Sequence, residues 1–371
     1  MKRSKALKVE TMFNNFKLTF FLQPLHGLPE TLSDTANANW PWQQDINWFL
    51  ALAEFKRLTQ QPTLHFFLLE VWSEHTRCLA LPLCSTKDGR YWSSLTDVYS
   101  PSFNIISSTT LIIANPWQCL LHALTQLQPN WVYCQLSPLR QEQIQQLTKL
   151  NGCLRTHVFE HSENWLANCS SNQEYWHKRP GQLKNTIKRK RAKLLSSGSR
   201  IEIHSQLTDE LMLKYWQVYQ QSWKQPETDR YFINWLANYS AANGMLRLGL
   251  LFIDEQPVAC QLWLVHHSKA AIYKLAQDQA FDNLSPGTVL MADMVNYVID
   301  IDKVTSIDFL TGNDNYKAMW MDFNFKLYGA ELFNINSLTG RWLWSKQWLK
   351  TTLKTIARQM HHLIFRARHD N

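Results

Sequence analysis

Two polar loops in the second half of the chain each follow a predicted strand and lead into a predicted helix. The first loop, 278–286, comes after a strand over 270–277 and ends at Gly287 and Thr288, where a helix begins. The free N–H groups and the dipole of a helix N-terminus favour an anion such as a phosphate. A glycine at that position lets a ligand approach the backbone closely. This loop therefore predicts an anion-binding site.

The second loop, 311–315, brings a lysine to the same edge of the predicted sheet. It follows a strand over 304–310, and Tyr316 and Lys317 begin a helix that is expected to continue to Leu327. The order strand, helix, strand predicts a parallel pair with a crossover connection, and ligands bind beyond the carboxyl ends of such strands. A lysine in that position is suited to stabilise an oxyanion or a phosphate. An ordinary surface lysine is the alternative.

Two carboxylates and two tryptophans complete the set of candidate side chains. Asp308, near the end of the second strand, is suited to act as a base or an orienting group, or else to pair structurally with Lys317 or a loop N–H. Asp314 is placed to contact substrate or to cap the following helix. Trp223 is a candidate wall of an acceptor site, with core packing as the alternative, and Trp320 is grouped with it as a substrate contact. The sequence shows no Ser-His-Asp, metal-ligand or phosphate-loop motif, so no metal is expected.

A strongly basic segment, 174–197, joins the two halves of the chain. A charge run beside a thin apolar stripe is typical of a solvated connecting helix. A nucleic-acid arm is a second interpretation, although the segment lacks interleaved aromatic residues. In a third interpretation the cationic face lines a phosphate-binding cleft, with Arg189 and Arg191 directed towards it.

Composition limits the classes of function. The 371 residues predict two domains, and the net charge of +8 favours anionic partners. Seven cysteines, an odd number without a C-x-x-C pair, predict neither a zinc cluster nor a disulfide framework, which fits a reducing cytoplasm. No apolar run is long enough to span a membrane.

The element order predicts two α/β halves. Residues 16–172 run helix, hairpin, helix, strand, helix, strand, and residues 200–340 run helix, helix, three-stranded meander, helix, strand, helix, strand. A basic helix over 173–199 joins them. Residues 1–15 are expected to be a loose basic tail. Residues 341–371 are expected to form a basic amphipathic helix that either packs on the protein or lies on an anionic membrane surface.

This layout resembles the GNAT superfamily of N-acetyltransferases, and the residues resemble its CelD/FemAB-like branch, which is linked to cell-surface polysaccharide synthesis. The resemblance covers roughly residues 180–325 and rests on the order and spacing of several pieces. These pieces are KNTIKRKRAKL at 184–194, QQSWK at 220–224, LRLGLLFIDEQPVACQLWL at 246–264, LSPGTVLMADM at 284–294 and IDFLTGNDNYKAMW at 307–320.

The resemblance implies a place for a donor substrate. Members of the superfamily bind acyl-CoA where two parallel strands splay apart, here 270–277 and 304–310, with the pyrophosphate at the N-terminus of the intervening helix. The residues that this implies as contacts of acyl-CoA are Leu275, Gln277, Ser285, Gly287, Thr288, Arg189 and Arg191. The glycine-rich turn that is usual in the superfamily is reduced here to Gly287.

The FemAB-type relatives suggest which residues act on the carbonyl. They use aminoacyl-tRNA as donor, and some carry a lysine after an aromatic residue, as in Tyr316-Lys317. In those relatives the lysine is thought to stabilise charge at the reacting carbonyl. The resemblance therefore implies catalytic roles for Lys317 and Tyr316, with Asp308 beside them.

The combined prediction is an α/β protein of two GNAT-like lobes, each a mixed sheet flanked by helices, joined by a basic helix. Its predicted activity is N-acyl transfer, most simply acetyl transfer, from acyl-CoA to the amine of a small molecule or glycan in polysaccharide or envelope synthesis. The expected location is the cytoplasm, with contact between the C-terminal helix and the inner face of the membrane as the alternative to packing of that helix on the protein. One alternative is an aminoacyl-tRNA-dependent transferase, in which tRNA is the nucleic-acid partner. The other is a non-catalytic module that binds nucleic acid or membrane.

Overall fold

The structure is a computed structural model that describes residues 6–13, 16–25, 45–59, 63–107, 113–150, 152–312 and 314–369. Side chains of the last helix are described as far as Lys354 and at Ala357. Parts of the predicted basic tail, 1–5 and 14–15, and Asn313 of the second polar loop lie outside the described residues. The described chain divides into two compact units, one formed by residues up to 161 together with those from 327 onwards, and the other by residues 162–326.

The first unit is a mixed sheet flanked by helices. Its strands lie in the order β1-β2-β3-β4-β5-β7-β14, with β5 and β7 parallel, and the short β6 pairs with β4. Large aromatic side chains, including Trp48, Trp92, Trp117 and Trp131, fill its core. The elements are β1 Leu7–Phe13, β2 Phe16–Pro24, α1 Ile46–Thr59, β3 Leu64–Ser73, β4 Thr76–Thr86, β5 Tyr91–Ser94, β6 Ile106–Ser107, α2 Pro116–Leu127, β7 Tyr133–Leu139, α3 Gln141–Leu147, the first part of β8 Leu154–Asn168, the last part of β14 Phe323–Asn334, and α9 Leu338–His369.

The predicted loose tail is corrected over Leu7–Phe13, which forms the edge strand β1. It pairs antiparallel with β2, from Leu7 opposite Leu22 to Phe13 opposite Phe16. The first four residues, LKVE, alternate apolar and polar with the period of a strand. The prediction of a loose tail rested instead on the basic residues that precede this segment.

The second unit is also a mixed sheet with helices on it. Its strands lie in the order β8-β13-β12-β11-β10-β9, and the β12–β13 pair is parallel. Its elements, besides the end of β8 and the start of β14, are α4 Asn172–His177, α5 Gly181–Ser196, β9 Ser199–His204, α6 Asp209–Gln220, α7 Arg230–Ala242, β10 Leu246–Ile253, β11 Gln256–His266, β12 Lys269–Gln277, a 3-10 helix Gln279–Leu284, α8 Pro286–Asp300, β13 Ser306–Thr311 and a 3-10 helix Asn315–Met319. The predicted fold class, an α/β protein with mixed sheets flanked by helices, is confirmed.

The basic segment is two helices rather than one. Pro180 separates α4 from α5, since proline cannot continue a helix interior. The apolar stripe of α5, formed by Leu183, Ile187 and Leu194, is buried in the core of the second unit. The segment therefore packs along this unit instead of spanning solvent.

The prediction of a helix from Tyr316 to Leu327 was wrong. Only a 3-10 turn, Asn315–Met319, forms, and the chain then enters the long strand β14. The first half of its sequence, FNFKLY at 323–328, alternates like a strand. Gly329 lies within this strand, where a Cβ atom would come 2.1 Å from the Phe159 ring.

Candidate active site

The parallel strands β12 and β13 separate soon after they pair. Their ladder runs from Lys269 opposite Ser306 to Ala271 opposite Asp308, and among the described residues it goes no further. Leu310 has a φ of 54°, and the pairing of β13 with β8 shifts between Asp308 and Leu310. The carboxyl ends of both strands therefore leave backbone groups on either side of an opening, as predicted from the polar loops that follow them.

Lys317 lies at this opening and is buried, with 4% of its surface exposed. Its Nζ donates hydrogen bonds to the carbonyl oxygens of Phe309 (3.2 Å) and Thr311 (2.8 Å), at the end of β13. A carboxylate oxygen of Asp314 is 4.0 Å away, too far for a hydrogen bond. A lysine ammonium has three N–H donors, so one remains beyond those given to the two carbonyls. The surface-lysine alternative is excluded by this burial.

The environment of Lys317 weakens its hold on a proton. Burial lowers the pKa of the ammonium, and the negative charges of Asp314 and Asp308 partly oppose that shift. The loop fits tightly around the amine, because a Cβ atom at Gly312 would lie 2.9 Å from Nζ. Gly312 also has a φ of 134°, which glycine adopts without strain.

Asp308 holds the bend of β13. Its Oδ1 accepts hydrogen bonds from Asn164 Nδ2 (2.8 Å) and from the backbone N–H of Leu310 (2.8 Å). The bend in turn directs the carbonyls of Phe309 and Thr311 at Lys317. These contacts match the predicted alternative of a loop N–H partner, and they make Asp308 a positioning residue rather than the first candidate for a base.

The aromatic candidates have different surroundings. Tyr316 is partly exposed, stands edge-on to the Phe309 ring at 5.5 Å, and has the pKa of its hydroxyl raised by burial. Trp223 is 53% exposed, so core packing does not explain it. The prediction of Trp320 as a substrate contact is corrected. Its side chain lies in the core, with its ring centroid 6.0 Å from that of Trp176, and is not accessible to a substrate. Asp314 is exposed and accepts no capping hydrogen bond from the turn that it begins.

The N-terminus of α8 is occupied by a side chain of the protein itself. The N–H of Gly287 donates to Gln277 Oε1 (2.9 Å), and Gln277 Nε2 donates to Asp282 Oδ1 (2.5 Å). A Cβ atom at Gly287 would lie 2.7 Å from the same Gln277 oxygen. Ser285, in the left-handed region with a φ of 51°, accepts from the N–H of Thr288 (3.1 Å). An anion would have to displace the Gln277 amide to reach this helix N-terminus.

Leu275 and the arginines of α5 lie on different elements around α8. Leu275 is half-buried on β12. Arg191 donates to Asp293 on α8 (3.0 Å), whereas Arg189 is exposed. A groove of about 340 Å³ lies between α5 and α8, with Lys184, Lys188 and Arg191 in its lining. This groove lies along the middle of α8, and none of its described lining residues belongs to β12 or β13, so the predicted orientation of both arginines towards the cleft beside these strands stays a prediction.

A charged cluster that the sequence did not single out lies in the loop between α6 and α7 and on β12. Lys274 pairs with Glu227 at 2.7 Å, and Glu227 also accepts from the Tyr219 hydroxyl at 3.2 Å. Burial, together with the Lys274 ammonium, lowers the pKa of Lys224 to about 8, against the opposing charges of Glu227 and Asp314. The negative charge of Asp314 opposes the lowering of the pKa of both Lys224 and Lys317. The sequence signal that could have revealed this cluster is Lys274, a lysine inside the otherwise apolar run AIYKLA.

Residues 181–318 match the family model described as an acetyltransferase (GNAT) domain. Two solved structures have similar folds. A protein of unknown function from Bacteroides thetaiotaomicron VPI-5482 shares 11% identity over 82% of this chain and 96% of its own, with a TM-score of 0.53. FemX shares 11% identity over 80% of this chain and 93% of its own, with a TM-score of 0.54. No curated protein matches the chain significantly in sequence.

Proposed function

We propose that this chain, which carries a GNAT acetyltransferase domain over residues 181–318, transfers an acyl group to an amine at the opening between β12 and β13. One observation carries the proposal. The buried Lys317 ammonium donates two of its three N–H groups to carbonyls at the end of β13, which leaves the third for a substrate oxygen. Donors fixed in a site that excludes water stabilise developing negative charge much better than water does.

The reaction that fits these groups needs no covalent enzyme intermediate. A neutral amine nitrogen attacks the carbonyl carbon of the donor, and the carbonyl oxygen gains negative charge. Lys317 donates its free N–H to that oxygen. The nitrogen loses a proton, and the tetrahedral intermediate collapses to an amide as the leaving group departs with the bonding electron pair. This leaving group is the thiolate of CoA when acyl-CoA is the donor.

Lys224 is the group that we assign to accept the proton from the amine. A base works best when its pKa lies near the pH at which it operates, and the pKa of Lys224 is lowered to about 8. Burial and the neighbouring Lys274 both disfavour the ammonium form, which leaves a useful fraction of neutral amine at slightly alkaline pH. Trp223, beside it and exposed, is placed to contact the acceptor.

Acyl-CoA is the proposed donor, and the amine of a sugar or small molecule in cell-surface polysaccharide synthesis is the proposed acceptor. The support is the resemblance over residues 180–325 together with the splayed strands. A cytoplasmic location is part of the same proposal, because seven cysteines without a C-x-x-C pair fit a reducing compartment. Aminoacyl-tRNA is the second candidate donor, because the Gln277 amide occupies the N–H of Gly287, where a pyrophosphate would be expected to bind. In that reaction the leaving group is the ribose oxygen, which departs with the bonding electron pair and takes up the proton that the amine has lost, so that it leaves as a hydroxyl.

Gln277 provides a test that separates the two donors. In Gln277→Ala the N–H of Gly287 is freed, so acetyl-CoA no longer has to displace a hydrogen bond and should bind about five- to tenfold more tightly. The measurement is isothermal titration calorimetry of the full chain with acetyl-CoA. Gln279→Ala is the matched control, because Gln279 is exposed on the adjacent 3-10 helix, and it should leave the affinity unchanged.

Unchanged or weaker binding of acetyl-CoA by a folded Gln277→Ala protein would contradict binding of the pyrophosphate at the N–H of Gly287. If neither protein binds acetyl-CoA while both bind an aminoacyl-tRNA, the donor is the second candidate. Binding of neither donor by wild type would remove the transferase proposal.

A further inference from the structure

The last helix, α9, is polycationic along its whole length. Residues 338–369 include Lys346, Lys350, Lys354 and four arginines, but no Asp or Glu. Helix α6, by contrast, carries both signs of charge, with Asp209, Glu210 and Lys214. A helix of this composition has no acidic side chain of its own to neutralise it and therefore favours an anionic partner.

Large apolar side chains of α9 are exposed on one side of the helix. Leu338 is 81% exposed and Trp342 is 60% exposed, and Leu349 and Leu353 are also exposed. Their spacing of four, seven and four residues places them within about 60° of one another around the helix. We call these four residues the exposed stripe. Trp348, likewise exposed, lies beside it.

The opposite side of α9 is the one that packs on the first unit. Trp344 contacts Phe333 at 5.7 Å between ring centroids, and Gln347 Nε2 lies 3.1 Å from His157 Nδ1. At Gly340 a Cβ atom would lie 2.0 Å from the carbonyl oxygen of Asn334. These residues lie roughly 180° from the exposed stripe. The stripe is therefore not the face by which the helix joins the core.

The groups beside the exposed stripe indicate what covers it. Lys346 lies 5.2 Å from the Trp342 ring, and Lys350 lies on the same flank, about 90° around the helix from the centre of the stripe. Tryptophan prefers the boundary between lipid headgroups and acyl chains, and lysines beside an apolar face bind anionic headgroups. A second copy of the helix would bring cations against cations. Among the described residues, no helix is both long and apolar enough to cross a membrane.

We propose that residues 338–354 form a docking surface for an anionic lipid bilayer, with α9 lying parallel to the membrane plane and the exposed stripe entering the headgroup boundary. This surface is independent of the acyl-transfer proposal. It names a lipid surface as partner, whatever the substrates of the second unit are.

Vesicle sedimentation of the full chain tests the proposal. The vesicles are phosphatidylcholine alone, or phosphatidylcholine with about 30 mol% phosphatidylglycerol. Wild type is expected to bind the anionic vesicles and to leave the neutral ones largely unbound. In Trp342→Gln/Leu349→Gln the partition coefficient should fall about a hundredfold, since two large apolar side chains no longer enter the lipid. Each Lys→Gln change at 346 or 350 should lower it about fivefold.

The matched control is Leu213→Gln/Tyr231→Gln, which removes two equally exposed apolar side chains from α6 and α7 and should leave binding unchanged. Circular dichroism melts establish that the variants are folded. Equal binding to both kinds of vesicle, an equal loss in the control, or no binding by wild type would overturn the proposal. Wild type that instead forms dimers, which Trp342→Gln/Leu349→Gln dissociates, would assign the stripe to a second copy of the chain.

Discussion

Replacing Lys317 with methionine is expected to lower turnover about 10²–10³-fold, the usual consequence of losing a charge-stabilising donor. The affinity for the donor should change little, because the interaction forms with the oxyanion and not with the ground-state carbonyl. The measurement is steady-state kinetics with acetyl-CoA and a panel of amines, analysed as kcat and KM separately.

Stability has to be followed in the same variant. Lys317→Met removes the donors to the carbonyls of Phe309 and Thr311, which destabilises the fold, and it also removes a buried charge, which stabilises it. We therefore expect a small change in Tm, and the kinetics are measured well below it. Lys269→Met is the matched control, because Lys269 is an exposed lysine at the other end of β12. Turnover of Lys317→Met within about threefold of wild type would show that Lys317 does not act in the transition state.

Replacing Lys224 with methionine is expected to have opposite effects on activity and stability. Turnover should fall about 10²-fold if Lys224 accepts the proton of the amine. The rise of kcat/KM with pH, centred near a pKa of about 8 in wild type, should be absent from the variant. A variant that keeps this rise would show that the base is another group.

The stability of the same variant has a predicted pH dependence. The folded state lowers the pKa of Lys224 to about 8 from an ordinary value of 10.5, so between these pH values the unfolded state binds more protons. Wild-type stability therefore gains from rising pH in that window, and the penalty for burying the ammonium is fully present below pH about 8. Lys224→Met should be more stable than wild type at pH 7, by on the order of 2–3 kcal/mol, and the difference should shrink towards pH 10.

Denaturant unfolding at several pH values measures this difference. Lys214→Met is the control, since Lys214 forms an exposed i,i+4 pair with Glu210 at 2.7 Å and should show no such pH dependence. A constant difference between wild type and Lys224→Met at all pH values would mean that Lys224 keeps its ordinary pKa.

The sequence predicted the parts of the site that depend on local pattern. The strands over 270–277 and 304–310, the helix at Gly287 and the lysine after the second loop all follow from periodicity and turn residues. The opening between the strands was implied by the resemblance to the GNAT superfamily, and in the structure their pairing ends at Ala271 and Asp308. The prediction of a helix from Tyr316 to Leu327 is wrong because residues 323–328 alternate like a strand and belong to β14.

The remaining features depend on tertiary contacts that no local pattern contains. The amide of Gln277 caps Gly287 only because β12 ends beside the start of α8. The low pKa of Lys224 needs burial by the fold and the approach of Lys274 from another element. The exposed stripe of α9 also depends on tertiary contacts, because the sequence of an amphipathic helix does not show which of its faces packs on the protein.

Hydrogen–deuterium exchange of the full chain, with and without saturating acetyl-CoA, tests the proposed donor site most directly because it requires no acceptor. Acyl transfer at the opening between β12 and β13 predicts slower exchange in peptides covering 272–277 and 309–312, with the first unit unchanged. The same protection by an aminoacyl-tRNA, and none by acetyl-CoA, would keep the site and change the donor. Protection confined to residues outside 181–318, or none with either donor, would contradict the proposed active site.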